Sequence, residues 1–169
     1  MADTDLIKLY SARILALATD IPHNTRLTAA DATVKKRSPL CGSAVTVDVE
    51  ITDGRISGFG QDVKACALGQ AAAAVTGAAV MGLDLEGATQ GRDALRAMLK
   101  EGGPVPDAPF DGFAVLEPAR DYKNRHAAIL LSIEATVEAL ELALAEGGSR
   151  AEAYSSVVVS HGDVMATRC

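Results

Sequence analysis

Three cysteines, at positions 41, 66 and 169, are the residues of this chain best suited to chemistry. Cys41 lies in Ser38-Pro39-Leu40-Cys41-Gly42-Ser43. Proline holds the residue before it extended, and glycine lets the backbone bend or approach a ligand closely. Cys41 is thus expected on a tight loop. Cys66 directly precedes an Ala-rich run expected to be helical. A helix N-terminus carries partial positive charge, which favours a thiolate. Two thiols at one end of a sheet can converge on a soft metal or on sulfur chemistry. The same two residues also fit a plainer reading as small buried hydrophobes. His126 offers a neutral imidazole, a good zinc or iron ligand, or else a surface histidine at a helix start. Cys169 is the last residue; it can fold back in cis, bridge to a second protomer in a homodimer, or stay a free thiol. His161 and Asp163 are weaker candidates on the same tail. The basic run Lys35-Lys36-Arg37 reads first as a solvated edge. No Ser-His-Asp set or paired carboxylates can be argued from the spacing.

The elements that must position these groups follow from periodicity. Leu6, Tyr10, Ile14 and Leu17 predict an amphipathic helix over 3–19, capped by Asp3 or Thr4. Val45, Val47, Val49 and Ile51 alternate with polar residues, which predicts a strand with one buried face. Asp53-Gly54 is a two-residue hairpin signal, and 55–61 is the return strand. Gly58 and Gly60 mark a bulge or close packing there. An earlier strand over 32–36 completes a three-stranded antiparallel meander. Helices are expected over 67–81, 89–100 and 118–146, with a proline-bearing loop over 104–112 and Gly82 as a helix cap. The fold class is α+β, with helices packed on one face of a small antiparallel sheet. Residues 1–148 form one domain and 149–169 a tail.

Composition narrows the function. With 169 residues and 49% hydrophobic content the chain can build one core. Aromatics are only 4%, so small aliphatic side chains must fill it. A net charge of -6 argues against nucleic acid as a partner. No apolar run approaches the ~20 residues of a membrane span, and the acidic N-terminus is no secretory signal. Three widely spaced cysteines argue against a disulfide framework and fit a reducing, cytoplasmic setting.

Four segments carry a resemblance: Ile21-Pro22-His23-Asn24, the stretch from Leu27 to Asp31, Ser38-Pro39-Leu40-Cys41-Gly42, and Cys66-Ala67-Leu68-Gly69-Gln70-Ala71. In order and spacing they are similar to the NifU N-terminal, IscU and SufU family of iron–sulfur cluster assembly scaffolds. The resemblance covers about 5–145. The interval from Cys66 to position 128, with its inserted Gly/Pro-rich loop, is more like the SufU branch. It implies the same fold and a [2Fe-2S] cluster, iron or, in SufU, zinc, held by three Cys and one Asp. Here Cys41 and Cys66 match two of those ligands. The Asp falls on Ser43 and the third Cys on Ala128, so two ligands are lost. His126, beside that position, or Cys169 would have to stand in. The resemblance implies a scaffold, not an enzyme. It would take sulfur from a cysteine desulfurase and serve recipient apo iron–sulfur proteins. A SufU-like sulfur relay is the alternative, and a paralogue that keeps only the fold is a third reading.

Overall fold

The computed structural model describes residues 10–145. The chain runs α1 (Ala12–Ala18), β1 (Ala32–Arg37), β2 (Ala44–Thr52), β3 (Arg55–Lys64), α2 (Ala67–Ala79), α3 (Leu85–Lys100), a 3-10 segment (Asp111–Asp121) and α4 (Lys123–Ala145). The expected tail, with Cys169, lies outside the described residues. The strands form one antiparallel sheet in the order β1-β2-β3. Asp53 and Gly54 both take positive φ, 53° and 76°, which the tight β2–β3 turn requires. Gly58 pairs with Glu50 and Ile56 with Ile51, so Ser57 is the extra residue of a bulge. At Gly60 a Cβ would lie 2.4 Å from the Thr25 carbonyl oxygen, so only glycine fits.

The helices gather on one face. Helix α4 crosses β1 and β2, α2 lies beside it, α1 packs on α2 and α3 on α4. Val34, Val45, Val47, Val49 and Phe59 meet them from the sheet and are buried. Small residues let the layers approach: Ala71, Ala72 and Ala73 of α2 are wholly buried. Gln61 ties the layers together. Its Nε2 donates to the Ala73 carbonyl at 3.0 Å, and its Oε1 accepts from Ser132 Oγ of α4 at 2.9 Å. A buried amide satisfied from both helices fixes their positions on the sheet.

Several boundaries differ from the periodicity. The other face of β2 is covered over its first half: Asp48 is wholly buried and Thr46 nearly so, while Thr52 at its end is exposed. Loop 20–31 covers Asp48, because Arg26 and Leu27 bond to its carboxylate. Helix α1 starts after Ser11, whose hydroxyl accepts from Ile14 N and caps it, while Leu6 and the expected caps Asp3 and Thr4 lie outside the described residues. Strand β3 continues to Lys64. Helix α2 ends at Ala79, and Gly82 instead donates to the Ile56 carbonyl along the edge of β3. Helix α3 starts at Leu85, since Asp84 caps it by accepting from Gly87 N at 2.9 Å. The segment expected to begin the last helix is a 3-10 turn carrying Pro118. Tyr122 leaves helical angles (φ -109°, ψ 75°), so α4 begins at Lys123.

Candidate functional site

The β1–β2 connection, 38–43, is closed by its own backbone. Ser38 N donates to the Ser43 carbonyl at 2.8 Å and Gly42 N to the Ser38 carbonyl at 3.2 Å. Gly42 sits at φ 70°, a conformation that glycine adopts without strain. The loop buries Ser38 and Ser43 and leaves Leu40 70% exposed beside an exposed Cys41. The Cys41 Sγ lies 3.4 Å from Ser38 Oγ and 3.1 Å from Ser43 Oγ.

Cys66 enters the same site from the other side. Ala44, the first residue of β2, pairs with Lys64, the last of β3, so Ser43 and Cys66 come off neighbouring strand ends. Cys66 is the N-cap residue of α2, and its thiol makes no capping hydrogen bond. Its backbone N–H donates to Ser43 Oγ at 3.3 Å. The Ser43 hydroxyl thus accepts from Cys66 N and also pairs with the Cys41 sulfur, a bond in which either partner can donate. It links the two cysteine-bearing segments directly.

Partial burial pushes the Cys41 thiol up, but its other surroundings outweigh that. The Ser38 and Ser43 hydroxyls, the Ser43 backbone and the charge of Arg125 favour the thiolate, and the net shift is downward. Arg125 stands in the first turn of α4.

The remaining positions are distributed around α4. Ala128 is buried where α4 crosses the first turn of α2: a Cβ on Gly69 would meet the Ala128 carbonyl oxygen at 3.2 Å. It offers no side-chain donor. His126 is 4% exposed, with Nε2 3.0 Å from the carbonyl oxygens of both Ala119 and Arg120. Both partners are acceptors, so Nε2 carries the proton and pins the end of the 3-10 segment. His126 borders a cleft with Leu99, Lys100, Arg120 and Lys123. Among the described residues, no three His, Cys, Asp or Glu side chains are grouped to hold a metal ion. Cys41, Ser43 and Cys66 are brought together, and His126 is not grouped with them. Periodicity and motif spacing singled out neither Ser38 nor Arg125. The one available signal for Ser38 was its place opposite Ser43 across a six-residue loop.

No family model and no curated protein matches the chain. A solved structure does: the N-terminal NifU-like protein of Brucella abortus. It is 39% identical, with a TM-score of 0.80, over 82% of this chain and 96% of that one. The chain belongs to the NifU-like family. A candidate iron–sulfur cluster assembly scaffold protein for the SUF system, from Fervidobacterium islandicum, shares the fold at 18% identity. Its TM-score is 0.71 over 79% of this chain and 98% of that one. The three-stranded antiparallel sheet with helices on it is the architecture of this NifU-like chain and its neighbours. No helix among the described residues is long and apolar enough to cross a membrane.

The donor set of this NifU-like chain is short. A closed zinc site takes four protein ligands, and a [2Fe–2S] cluster is held by four as well. The described end of the sheet supplies two thiols and a neutral hydroxyl that is already engaged. These residues do not by themselves close a four-ligand site.

Proposed function

We propose that this chain serves iron–sulfur cluster assembly as a sulfur-accepting scaffold. Cys41 takes sulfur from a cysteine desulfurase in the cytoplasm. Cys41 and Cys66 then present it to iron, or to a nascent [2Fe-2S] cluster passed on to recipient apo-proteins. Iron, sulfur and cluster are cargo here. The chain supplies two thiolates, and further ligands come from Cys169, a partner's thiolate or water. The single observation that supports this reading is the Ser43 hydroxyl touching both the Cys41 sulfur and the Cys66 amide. Membership of the NifU-like family supports it independently.

A second reading, a sulfur relay that passes sulfur on without building a cluster, draws support from the two-thiol donor set. One anaerobic experiment separates them. The protein is incubated with a cysteine desulfurase, L-cysteine and ferrous iron. Iron and acid-labile sulfide are then measured after desalting. A scaffold retains both, and Cys41→Ser retains neither. A relay retains no iron and leaves Cys41 either carrying sulfur or oxidised after giving it up. A chain that retains no iron and leaves Cys41 unmodified overturns both readings.

A further inference from the structure

The fate of the sulfur follows from how differently the two thiols are placed. Cys41 is exposed at the tip of its loop, open to a large or small sulfur donor. Cys66 is half-buried, packed against the core, and its thiol makes no capping bond. Ser43 holds the segments together, one hydrogen bond to each. An exposed thiol open to attack from outside, next to a half-buried thiol that is less accessible, is the arrangement of an acceptor and a resolver. With two donors and no third ligand grouped beside them, a second thiol has no metal shell to complete from the described residues.

We propose that Cys66 resolves the persulfide formed on Cys41, releasing hydrosulfide and closing a Cys41–Cys66 disulfide. The proposal rests on Cys41 being the sulfur acceptor. In the first step the Cys41 thiolate attacks the outer sulfur of a persulfide, R–S–SH. A sulfur–sulfur bond forms to Cys41, the R–S bond to that sulfur breaks, and R–S⁻ leaves. In the second step the Cys66 thiolate attacks Cys41 Sγ. The Cys41–Cys66 bond forms and HS⁻ leaves with the electron pair. The sulfane sulfur gains two electrons and the two cysteine thiols lose them, so the persulfide is the only oxidant needed. The chain turns over once and then waits for a thiol reductant, which regenerates both cysteines; only in that reduced state do they hold iron as two thiolates. Sulfur is thereby delivered at the oxidation level of sulfide, the form that iron binds in a cluster.

The test uses the full chain with Cys169→Ser, reduced and desalted without oxygen, and glutathione persulfide as the probe. Intact mass and released hydrosulfide are read together. The protein is expected to lose two hydrogens and release one hydrosulfide per chain, with peptide mapping locating the bond between Cys41 and Cys66. Adding Cys66→Ser is expected to trap an extra sulfur on Cys41 and abolish the release. If Cys66→Ser releases hydrosulfide like its parent, or the parent keeps the extra sulfur with both thiols otherwise free, the resolving role is wrong. If Cys66→Ser takes up no sulfur on Cys41, the acceptor reading itself fails. The mass shift of the parent protein decides the matter even if Cys66→Ser does not fold.

Discussion

Two polar clusters in this protein use one device, several polar groups gathered around one acidic side chain, and reach opposite ends. Around Asp48, Oδ2 accepts from Arg26 Nε at 2.6 Å and Leu27 N at 2.9 Å. Oδ1 accepts from an Arg26 terminal nitrogen at 3.1 Å and from Thr33 Oγ1 at 2.5 Å. The side chain is wholly buried and both oxygens are saturated. Around Cys41, Ser38 and Ser43 face a sulfur that stays open to solvent. A saturated buried carboxylate can only hold loop 20–31 onto the sheet. An exposed thiol with hydroxyls on one side keeps its other side free to form a bond. Exposure, and not the number of hydrogen bonds, separates the cluster that holds the fold from the one left open to reaction.

The largest expected effect breaks the structural cluster. Asp48→Ala removes an acceptor of four hydrogen bonds and strips Leu27 N and Thr33 Oγ1 of their partner. Arg26 is half exposed, so its charge returns to water and adds little to the loss. The cost should be about 2–4 kcal/mol, given about 1–3 kcal/mol for each polar group left buried without a partner. Tm should then fall by about 10 °C at this chain length. Thermal unfolding followed by circular dichroism measures it. Site-resolved alkylation of Cys41 at 20 °C below Tm should stay unchanged. A fall in both would mean the two clusters are coupled, and the contrast between them would fail.

What could be read from the sequence divides along the same line. The β2–β3 hairpin was legible because alternation and Asp53-Gly54 are local signals. Asp48 was legible only as a polar residue on an alternating strand. Its burial depends on Arg26, 22 positions earlier, and no periodicity encodes that pairing. At the site, both thiols were legible from residue type and motif, and the family from their order. The part played by Ser43 was not, because it arises where residues 23 apart meet. As a ligand Ser43 looks poor; as a hydroxyl between an N–H and a sulfur it is well matched. The helix geometry also separates neighbours in sequence. Residues two apart, such as His126 and Ala128, lie about 200° apart around α4. One borders the 3-10 segment and the other the α2 crossing.

A smaller effect probes the chemical cluster alone. Cys41 is held below the ordinary thiol range, burial opposing and the serine hydrogen bonds and Arg125 prevailing. A lowered value means the thiolate persists to lower pH, and reactivity is lost only as pH falls through that lowered midpoint. The alkylation rate of Cys41 plotted against pH should therefore rise with a midpoint below that of the same cysteine in the unfolded chain. Ser38→Ala removes a hydroxyl whose hydrogen bond lowers the Cys41 pKa and should move the midpoint upward. Because the Ser38 hydroxyl is buried, a small Tm change is expected with it, well under that of Asp48→Ala. An unmoved midpoint in Ser38→Ala would strip the loop serine of its part in the comparison.

The smallest expected effect is that of removing metal. The core runs from Ile14 to Ala143 and includes no residue of the Cys41 loop, 38–43. At the site, the segments bearing Cys41 and Cys66 are already joined through Ser43, a link that needs no ion. A ligand bound only to the native state, at a hundred times its dissociation constant, adds about 2.7 kcal/mol. A closed structural zinc site would add far more, since such sites supply about 10 kcal/mol or above. Two thiols and no third grouped donor fall short of that closed site. Chelation of the purified protein should therefore lower Tm by no more than a few degrees. Zinc added back to the Cys41→Ser variant should raise it by less than in its parent. Collapse of the transition on chelation would show a closed metal site with donors from beyond residues 10–145. The Cys41 end of the sheet would then be a second structural cluster, the equal of Asp48, and the contrast between holding and reacting would not stand.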